Sequence, residues 1–210
     1  MKKAVYAAGA ALCLLLLLIA VLCAVVTAMG RDGDLYARCF HLFADTGRFG
    51  VDETAYDGIG HALGAYFSGA DVDFPCFNQR EMIHLSDIRG LFGRFDRAWW
   101  LLLPAALLAF ALVKKPDAKG FLLGLALTAL LLAALAAYIA LDFENAFILM
   151  HRLLFTNDLW LLNPNTDLLI CLMPETMFMY LARLLALWVI PLWLLAPTLA
   201  AGIYLIRKGK

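Results

Sequence analysis

Charged side chains are scarce in this sequence. Only 16% of its 210 residues are lysine, arginine, aspartate or glutamate, whereas 64% are hydrophobic, and the mean hydropathy is +0.81. With so little charge and a formal net charge of zero, the chain as a whole lacks the excess of basic residues typical of nucleic-acid-binding proteins, so we expect no nucleic-acid partner. The composition is instead typical of an integral membrane protein.

Familiar catalytic and metal-binding motifs are also missing. No serine stands in a G-x-S-x-G elbow, and no C-x-x-C, H-E-x-x-H or clustered Cys/His spacing occurs. The sequence therefore predicts neither serine hydrolase chemistry nor a metal site, and we expect no cofactor. Of the five cysteines, Cys39 and Cys76 are the pair that we favour for a disulfide, although spacing alone does not fix it.

Four segments are long and apolar enough to cross a bilayer core of ~30 Å. They cover about residues 4–28, 98–113, 121–141 and 181–206. The first is far longer than the apolar core of a secretory signal, which is about 7–15 residues, so we expect it to stay in the protein. We predict an all-α, single membrane domain over residues 1–210, with a helical cap at residues 30–97 and a short re-entrant or interfacial segment at residues 142–180.

The lysines are distributed very unevenly. All seven lie in the N-terminus, in the loop between predicted spans two and three, or in the C-terminus. These segments carry a net charge of +7, whereas residues 31–97 carry −4 and residues 142–183 carry −3. Because cytoplasmic loops are enriched in lysine and arginine, we predict that both termini are cytoplasmic. The two acidic segments then face outward from a cell membrane.

Residues 78–96, NQREMIHLSDIRGLFGRFD, predict an amphipathic helix. At about 100° per residue its apolar face also holds Glu81 and His84, with Asp87 at the border. Both carboxylates are three residues from the histidine, so either can reach the imidazole. The arginines lie mostly on other faces, where they could meet lipid headgroup phosphates. They are Arg80, Arg89, Arg94 and Arg97.

Residues 142–175 follow the third predicted span and combine aromatic side chains with ionisable ones. Ionisable groups at the depth of a membrane boundary are costly to keep and are functional candidates. Glu144 and His151 lie seven residues apart on one helical face. Phe147 and Phe155 flank the histidine at four residues on either side, which gives it an apolar surrounding. The other polar candidates are Arg152, Asn157, Asp158, Asp167 and Glu175.

Each candidate also has a structural interpretation. A single histidine on an apolar face is more often a hydrogen-bonded structural residue, and the carboxylates could cap helices or pair with arginines. Asn157 could be a turn residue or an oxyanion donor, and Trp160 is most simply an interface anchor. Two histidines beside acids on the same membrane face, His84 and His151, nevertheless favour general acid–base catalysis. The remaining two histidines are expected at the surface, and they are His41 and His61.

These stretches resemble the lipoprotein intramolecular transacylase family, a group of small four-span bacterial membrane proteins. The resemblance rests on FNQREMIHLSDIR at residues 77–89 and on the pattern D-F-x-x-x-F-x-x-x-H-x-x-x-F at residues 142–155. It rests also on residues 155–178, which contain WLLNPNTDLLICLMPE. With the four predicted spans, these motifs cover nearly the whole chain, while residues 31–73 match only loosely.

The resemblance implies a reaction on lipoproteins that carry a diacylglyceryl group on their N-terminal cysteine. The sn-2 acyl chain would move to the α-amino group of the same cysteine and leave a lyso-form lipoprotein. Converting an ester into an amide is downhill, so neither ATP nor a metal is needed. Diacylglyceryl-modified lipoproteins and membrane lipids are the implied partners, and we expect a monomer.

Within that reaction we assign two histidines. His151 would be the general base, and His84 its partner, orienting it or donating to the leaving oxygen. Asp87 or Glu81 would hold the tautomer of His84.

The supporting residues have less defined roles. Asn157 or Arg152 would face the oxyanion, and Trp160 and Asp167 complete the supporting or substrate-binding set. Arg152 departs from the family pattern, because an acid is expected after the histidine in many relatives. If that acid orients the histidine, Glu144 has to replace it.

Two other interpretations stay open. A non-catalytic accessory or assembly protein would use the outer helices to bind another protein, and its histidines would tolerate alanine with only a stability cost. A phospholipid acyltransferase or lipase would use the same histidines on free lipid. The sequence also leaves open the acyl-chain preference and whether transfer is direct or passes through an acyl-enzyme.

Overall fold

The computed structural model describes residues 2–112 and 118–208, and the regular structure within them is entirely helical. Its α-helices, in chain order, are α1 (Lys2–Gly30), α2 (Gly33–Phe43), α3 (Tyr56–Phe67), α4 (Gln79–Leu112), α5 (Ala118–Leu141), α6 (Phe143–Leu154), α7 (Leu168–Leu172) and α8 (Glu175–Lys208). Two short 3₁₀ helices, Gly47–Phe49 and Glu53–Ala55, lie between α2 and α3. The predicted all-α class is confirmed.

Three of these helices are long and apolar enough to cross a membrane. The segments are Ala8–Gly30 in α1, Lys119–Leu141 in α5 and Glu175–Leu195 in α8. α5 is apolar around its whole circumference and few of its residues are buried, as a lipid-facing helix requires. These helices support a membrane protein. The four-span count stays a prediction, and the predicted end of span two, Val113, lies outside the described residues.

One continuous helix, α4, stands where the sequence suggested a separate amphipathic helix and a second span. The predicted amphipathic helix forms the first part of α4, which then continues without a break to Leu112. Neither glycine nor proline occurs between Phe95 and Pro104, so nothing in the sequence breaks the helix there. The sequence predicts a tight turn at residues 114–119, KKPDAK; residues 114–117 lie outside the described residues, and residues 118 and 119 form the start of α5.

The chain divides into two compact units. Unit 1 comprises Met1–Val25, Asp96–Ala140 and Arg183–Lys210, and unit 2 comprises Val26–Phe95 and Leu141–Ala182. A cluster of buried residues forms the core of unit 1, consisting of Leu14, Leu17, Leu18, Ala106, Val189 and Trp193. The indole N–H of Trp193 donates to the carbonyl of Leu14 at 2.9 Å, which satisfies its polar atom within this core. Every candidate site residue belongs to unit 2.

Small residues let α2 and α3 pack closely within unit 2. Gly33 and Ala37 lie four residues apart on α2, and Gly60 and Gly64 lie four apart on α3. A β-carbon added at Gly64 would lie 2.6 Å from the backbone nitrogen of Gly33. One added at Gly60 would lie 2.6 Å from the backbone nitrogen of Ala37. The helix backbones therefore approach as closely as they do only because both α3 positions lack a side chain.

The two histidines expected at the surface are exposed, and they join α2 to α3. The Nε2 of His41 lies 3.0 Å from Oδ1 of Asp57, and the Nε2 of His61 lies 2.8 Å from Oδ1 of Asp34. Both pairs are largely exposed, so they contribute little to stability.

The favoured disulfide is not present. Cys39 and Cys76 are both free thiols. Cys39 is fully buried in α2, and this burial raises the pKa of its thiol to about 11. Cys76 is exposed in the segment before α4. The expectation is wrong because Cys39 is enclosed in a packed core, whereas Cys76 is an exposed residue of the segment before α4.

Candidate active site

α4 begins with a reciprocal pair of caps. The Oδ1 of Asn78 accepts hydrogen bonds from the backbone N–H groups of Arg80 and Glu81, at 2.9 and 3.1 Å. The Glu81 carboxylate in turn accepts from the backbone N–H of Asn78 at 2.7 Å, which makes a capping box with asparagine in place of serine or threonine. From this fixed start, the three-residue spacing sets Glu81, His84 and Asp87 along one face of α4.

Glu81 joins two helices. Only 1% of its surface is exposed, and its second carboxylate oxygen accepts the backbone N–H of Leu169 at 2.6 Å, at the start of α7. Burial raises the pKa of the Glu81 carboxyl, although the hydrogen bonds from Leu169 and Asn78 act in the opposite direction. These contacts make Glu81 a shared cap of α4 and α7.

His151 lies in the last turn of α6, and one of its ring nitrogens is hydrogen-bonded to the backbone. Its Nδ1 is 2.8 Å from the carbonyl oxygen of Phe147. Because a carbonyl only accepts hydrogen bonds, Nδ1 carries the proton of the neutral ring, and Nε2 keeps the free lone pair. The sequence offered Glu144 for this orienting role only if an acid is needed to orient the histidine. In the structure the Phe147 carbonyl contacts Nδ1 and Glu144 is exposed.

The two candidate histidines are neighbours. Their ring centroids lie 6.2 Å apart, and only 5% of His84 and 7% of His151 is exposed. Burial lowers the pKa of both imidazoles; that of His84 falls to about 4, where the nearby His151 adds to the effect and Asp87 opposes it. Both rings are therefore neutral at pH 7.

The Nδ1 of His84 is buried and has no hydrogen-bond partner among the described residues. The sequence predicted that Asp87 or Glu81 would hold the tautomer of this ring. Within the described structure both carboxylates instead accept amide N–H groups, Asp87 that of a side chain and Glu81 those of the backbone. A buried polar atom left without a partner costs about 1–3 kcal/mol and calls for a functional explanation.

Aromatic rings enclose the His151 imidazole. The ring centroids of Phe147 and Trp160 lie 4.1 and 4.8 Å from that of His151, and the Trp160 ring is stacked on it at 27°. Phe155 contacts both histidines, at 5.6 Å from His151 and 5.2 Å from His84. Trp160 is buried, so it forms a wall of the site and not the interface anchor that the sequence suggested.

The loop between α6 and α7 is tied to α4 by side chains. The Nδ2 of Asn157 donates to Oδ2 of Asp87 at 2.9 Å. The Nη2 of Arg80 donates to the carbonyl oxygens of Asp158 and Leu161, at 2.6 and 3.2 Å. Arg80 therefore binds protein backbone, where the sequence suggested lipid headgroups.

Asp167 anchors the end of this loop. It is buried, and its carboxylate accepts from the backbone N–H of Asn163 at 2.7 Å, the amide of Asn78 at 2.9 Å and the hydroxyl of Thr166 at 3.1 Å. Burial raises the pKa of the Asp167 carboxyl, but these hydrogen bonds outweigh it and leave the pKa below its ordinary value. Asp167 is thus an ionised anchor of the loop.

Sequence reasoning missed two residues that position the site. Asn78 carried a signal, because an asparagine three residues before a glutamate is a capping-box pattern. Arg80 lies in the motif at residues 77–89, but no local pattern indicated its partners, since they are backbone carbonyls 78 and 81 positions further along the chain. Arg152, which the sequence offered as a candidate to face the oxyanion, directly follows His151 and is exposed.

A neutral imidazole with a free Nε2, beside a second neutral imidazole in an aromatic enclosure, can take a proton from a nucleophile and return it to a leaving group. The model of the lipoprotein intramolecular transacylase family, Lit, matches residues 10–178, which include both histidines and the loop that carries Trp160. The chain belongs to this family. Membership supports a membrane acyltransferase over an accessory protein without catalytic activity. None of the curated proteins matches the chain.

Solved structures of a Lit protein have the same fold. The membrane-integral lipoprotein intramolecular transacylase of Bacillus cereus is 23% identical, over 99% of this chain and 97% of that chain, with a TM-score of 0.74. A variant of it with one histidine changed to alanine is 21% identical, over 100% and 96%, with a TM-score of 0.73. The corresponding arginine variant is 22% identical, over 99% and 93%, with a TM-score of 0.70. At these identities the likeness establishes the fold alone.

Proposed function

We propose that this chain moves the sn-2 acyl chain of a diacylglyceryl-cysteine lipoprotein to the α-amino group of the same cysteine, with His151 as the general base. One observation carries the proposal. The Nδ1 of His151 is committed to the Phe147 carbonyl at 2.8 Å, which leaves Nε2 with a lone pair beside a second buried imidazole. Membership of the Lit family supports a lipoprotein as the substrate.

The base acts on the attacking amine. An N-terminal amine has a pKa of about 8, so a fraction of it is neutral and nucleophilic near neutral pH. When its nitrogen attacks the sn-2 ester carbonyl carbon, it must lose a proton before the intermediate can collapse to an amide. The Nε2 of His151 accepts that proton. Because burial lowers the pKa of His151, the base stays neutral below the ordinary value near 6.5.

The same proton leaves with the glycerol. The His151 imidazolium donates it to the sn-2 glycerol oxygen as the carbon–oxygen bond breaks, by the general acid step that follows a general base step at one histidine. One carbon–nitrogen bond forms, one carbon–oxygen bond breaks, and one proton moves from nitrogen to oxygen. The products are an N-acylated cysteine that keeps one glyceryl acyl chain, and a neutral His151.

His84 serves the negative oxygen that develops in the transition state. With a pKa of about 4, its ring is neutral at pH 7 and offers one N–H donor. The buried Nδ1 has no partner among the described residues, so in the tautomer that protonates it, a substrate oxygen would satisfy it. We assign a second donor to the Asn157 amide, which keeps one N–H after binding Asp87. Donors fixed before the reaction stabilise an oxyanion without reorganisation.

The surroundings of the base suit a lipid. Three apolar side chains of α6 are exposed, namely Leu149, Met150 and Leu153. Apolar surface exposed on the same helix as the base favours a substrate whose acyl chains remain in the hydrocarbon layer. The lipidated cysteine then reaches the histidines from the membrane.

Mass spectrometry of lipoprotein N-termini, in a host that lacks its own N-acylating enzymes, tests this function. Wild type, His84→Ala, His151→Ala and the control His61→Ala are produced at equal membrane levels. We expect lyso-form peptides from wild type and from His61→Ala, because His61 is an exposed partner of Asp34. His151→Ala should lose activity by roughly 10²–10⁴-fold, the usual contribution of a general base.

The outcomes separate the alternatives. Unchanged diacylglyceryl peptides from a well-folded wild type would refute the transacylase assignment. Acyl transfer to or from free phospholipid under the same conditions would indicate the phospholipid enzyme. If both histidine variants are fully active, the transacylase reaction stands but the histidine mechanism is refuted.

A further inference from the structure

Arg80 holds the turn that carries Trp160. Asp158 and Leu161 are the ends of this turn, which is closed by a hydrogen bond from the N–H of Leu161 to the carbonyl of Asp158 at 3.2 Å. The Nη2 of Arg80 donates to both end carbonyls, at 2.6 Å to Asp158 and 3.2 Å to Leu161. One guanidinium nitrogen therefore binds a backbone carbonyl on each side of Trp160 in the sequence.

The side chain of that turn reaches the general base. The Trp160 ring is stacked on His151 with centroids 4.8 Å apart, and it is buried. Direct contacts thus lead from Arg80 through two backbone carbonyls to Trp160 and on to His151. All five residues of this path lie within unit 2.

We propose that Arg80 is a positioning residue for the general base, because it holds the turn that keeps the Trp160 ring on the His151 imidazole. The proposal rests on the proposed function, which names His151 as the base, and adds a residue outside the aromatic enclosure.

A second contact supports the turn without replacing Arg80. Asn157 precedes the turn, binds Asp87 at 2.9 Å and accepts the N–H of Leu159 at 3.0 Å. These bonds order the entrance to the turn. Among the described residues, Arg80 is the side chain that binds the carbonyl of Leu161, beyond Trp160. Losing Arg80 therefore releases the Trp160 end while the Asn157 end stays in place.

Arginine suits this task better than lysine. Its Nη2 carries two N–H donors that the planar guanidinium holds in a fixed geometry, so that this one nitrogen reaches both carbonyls with little loss of side-chain freedom. The ammonium group of lysine is a compact donor on a flexible stem. Arg80→Lys should hold the turn less firmly than wild type, and Arg80→Gln should hold it least.

The stacked ring excludes water from the base. Burial is the leading cause of the lowered pKa of His151, and the titratable group that faces it from α4 is His84, with Asp87 next to that ring. On α6 itself, the neighbouring charged residues Glu144 and Arg152 are exposed. When the Trp160 ring leaves, the main change at the imidazole is therefore the entry of water, which favours the protonated ring.

The test measures the His151 pKa directly and through catalysis. Histidine-selective ¹⁵N NMR of the whole protein in detergent micelles gives the pKa, with the His151 signal assigned from its loss in His151→Gln. The pH dependence of kcat/KM on a synthetic diacylglyceryl peptide gives the second readout. The proteins are wild type, Arg80→Gln, Arg80→Lys and the matched control Arg94→Gln, which changes an exposed arginine of the same helix.

Arg80→Gln should raise the pKa of His151 towards its ordinary value and move the acid limb of kcat/KM to higher pH. It should lower kcat/KM by roughly tenfold, since misplacing a reacting group by about 1 Å costs up to about 10²-fold. Arg80→Lys should recover part of each effect, and Arg94→Gln should match wild type. An unchanged His151 pKa in Arg80→Gln overturns the proposal even if activity falls, because losing folded protein alone does not move a pKa.

The NMR measurement does not depend on the reaction. If wild type forms no lyso-form product but Arg80→Gln raises the His151 pKa, the transacylase function fails and the positioning role stands. If wild type is active and the pKa of His151 does not move in Arg80→Gln, only the positioning role fails.

Trp160→Ala provides a second check, because it should raise the pKa of His151 by itself and leave Arg80→Gln with little further effect. If the pKa changes of Trp160→Ala and Arg80→Gln are fully additive in the double variant, the proposal is overturned. If Arg80→Gln does not fold, Arg80→Lys takes its place in every measurement.

Discussion

At the scale of single residues, the candidate site contains two imidazoles that burial keeps neutral. The pKa of His84 is about 4, and that of His151 is also lowered. Neutral rings can accept a proton or donate an N–H at physiological pH, as an acyl transfer between nitrogen and oxygen requires. The same burial has a thermodynamic consequence. Between the lowered pKa and the ordinary value of 6.5, the unfolded chain binds more protons than the folded one, so folding stability falls as the pH falls.

We predict that His84 makes the protein acid-sensitive. A folded-state pKa of about 4 against 6.5 in the unfolded chain corresponds to roughly 3 kcal/mol of stability lost as the pH falls through this interval, at about 1.4 kcal/mol for each pKa unit. The thermal unfolding temperature in detergent, measured from about pH 7 to about pH 4, should fall less steeply with decreasing pH for His84→Leu than for wild type. The control His61→Leu, at an exposed histidine, should keep the wild-type slope. A His84→Leu curve parallel to wild type would contradict the assignment.

Glu81 is predicted to stabilise the fold through its two oxygens. Glu81→Gln keeps one acceptor oxygen but turns an NH₂ group towards an N–H donor, either that of Asn78 or that of Leu169. We expect a loss of about 2 kcal/mol, as for other buried groups left unpaired. Unfolding midpoints measure the loss, and Glu53→Gln, at an exposed acid in a short 3₁₀ helix, should stay within about 0.5 kcal/mol of wild type. Equal effects of the two substitutions would argue against the shared cap.

At the scale of elements, glycine decides how α2 and α3 pack. Gly64→Ala places a methyl group 2.6 Å from the backbone nitrogen of Gly33, which cannot rotate away, so we expect a destabilisation of roughly 1–3 kcal/mol. Gly58→Ala is the matched control on the same helix, because a β-carbon there meets nothing within 4 Å. Alanine should stabilise that position by about 0.5–1 kcal/mol through helix propensity. The same sign of effect at both glycines would rule out close packing as the cause.

The elements also show where sequence reasoning succeeds. Helical periodicity correctly predicted helices around His84 and His151, because an amphipathic pattern depends on residues three and four apart. It did not predict that Trp160 is stacked on His151, since this contact depends on the path of an irregular loop. Nor did it predict that the Phe147 carbonyl orients His151, because every helical carbonyl looks alike in a sequence.

At the scale of the whole molecule, the lysine distribution predicts an outward-facing site, and Cys76 can test this. It is an exposed free thiol before α4. A membrane-impermeant maleimide should label it in intact cells when Cys171, the other partly exposed thiol of the outer segments, is replaced by serine. Partial burial raises the pKa of the Cys76 thiol, so that little reactive thiolate is present near neutral pH. Labelling should therefore become faster as the pH rises and the thiolate fraction grows.

The control for this topology is a thiol on the opposite side. Lys208→Cys, in a chain that also carries Cys76→Ser and Cys171→Ser, should be labelled only after the membrane is permeabilised. Labelling of Lys208→Cys in intact cells would contradict the predicted orientation of the C-terminus.

Composition, periodicity and motif spacing are local properties, and they were enough to predict the membrane class, the all-α fold, the family and the two histidines worth testing. The binding partner of each residue became known only from the three-dimensional structure. In the structure Glu81 caps both α4 and α7, and Trp160 is stacked on His151. Arg80 donates hydrogen bonds to the turn that contains Trp160. These contacts join residues 78–87 to residues 157–169, and most of α4 and the whole of α5 lie between the two segments in the sequence. Such contacts depend on how the chain returns, which no local pattern encodes.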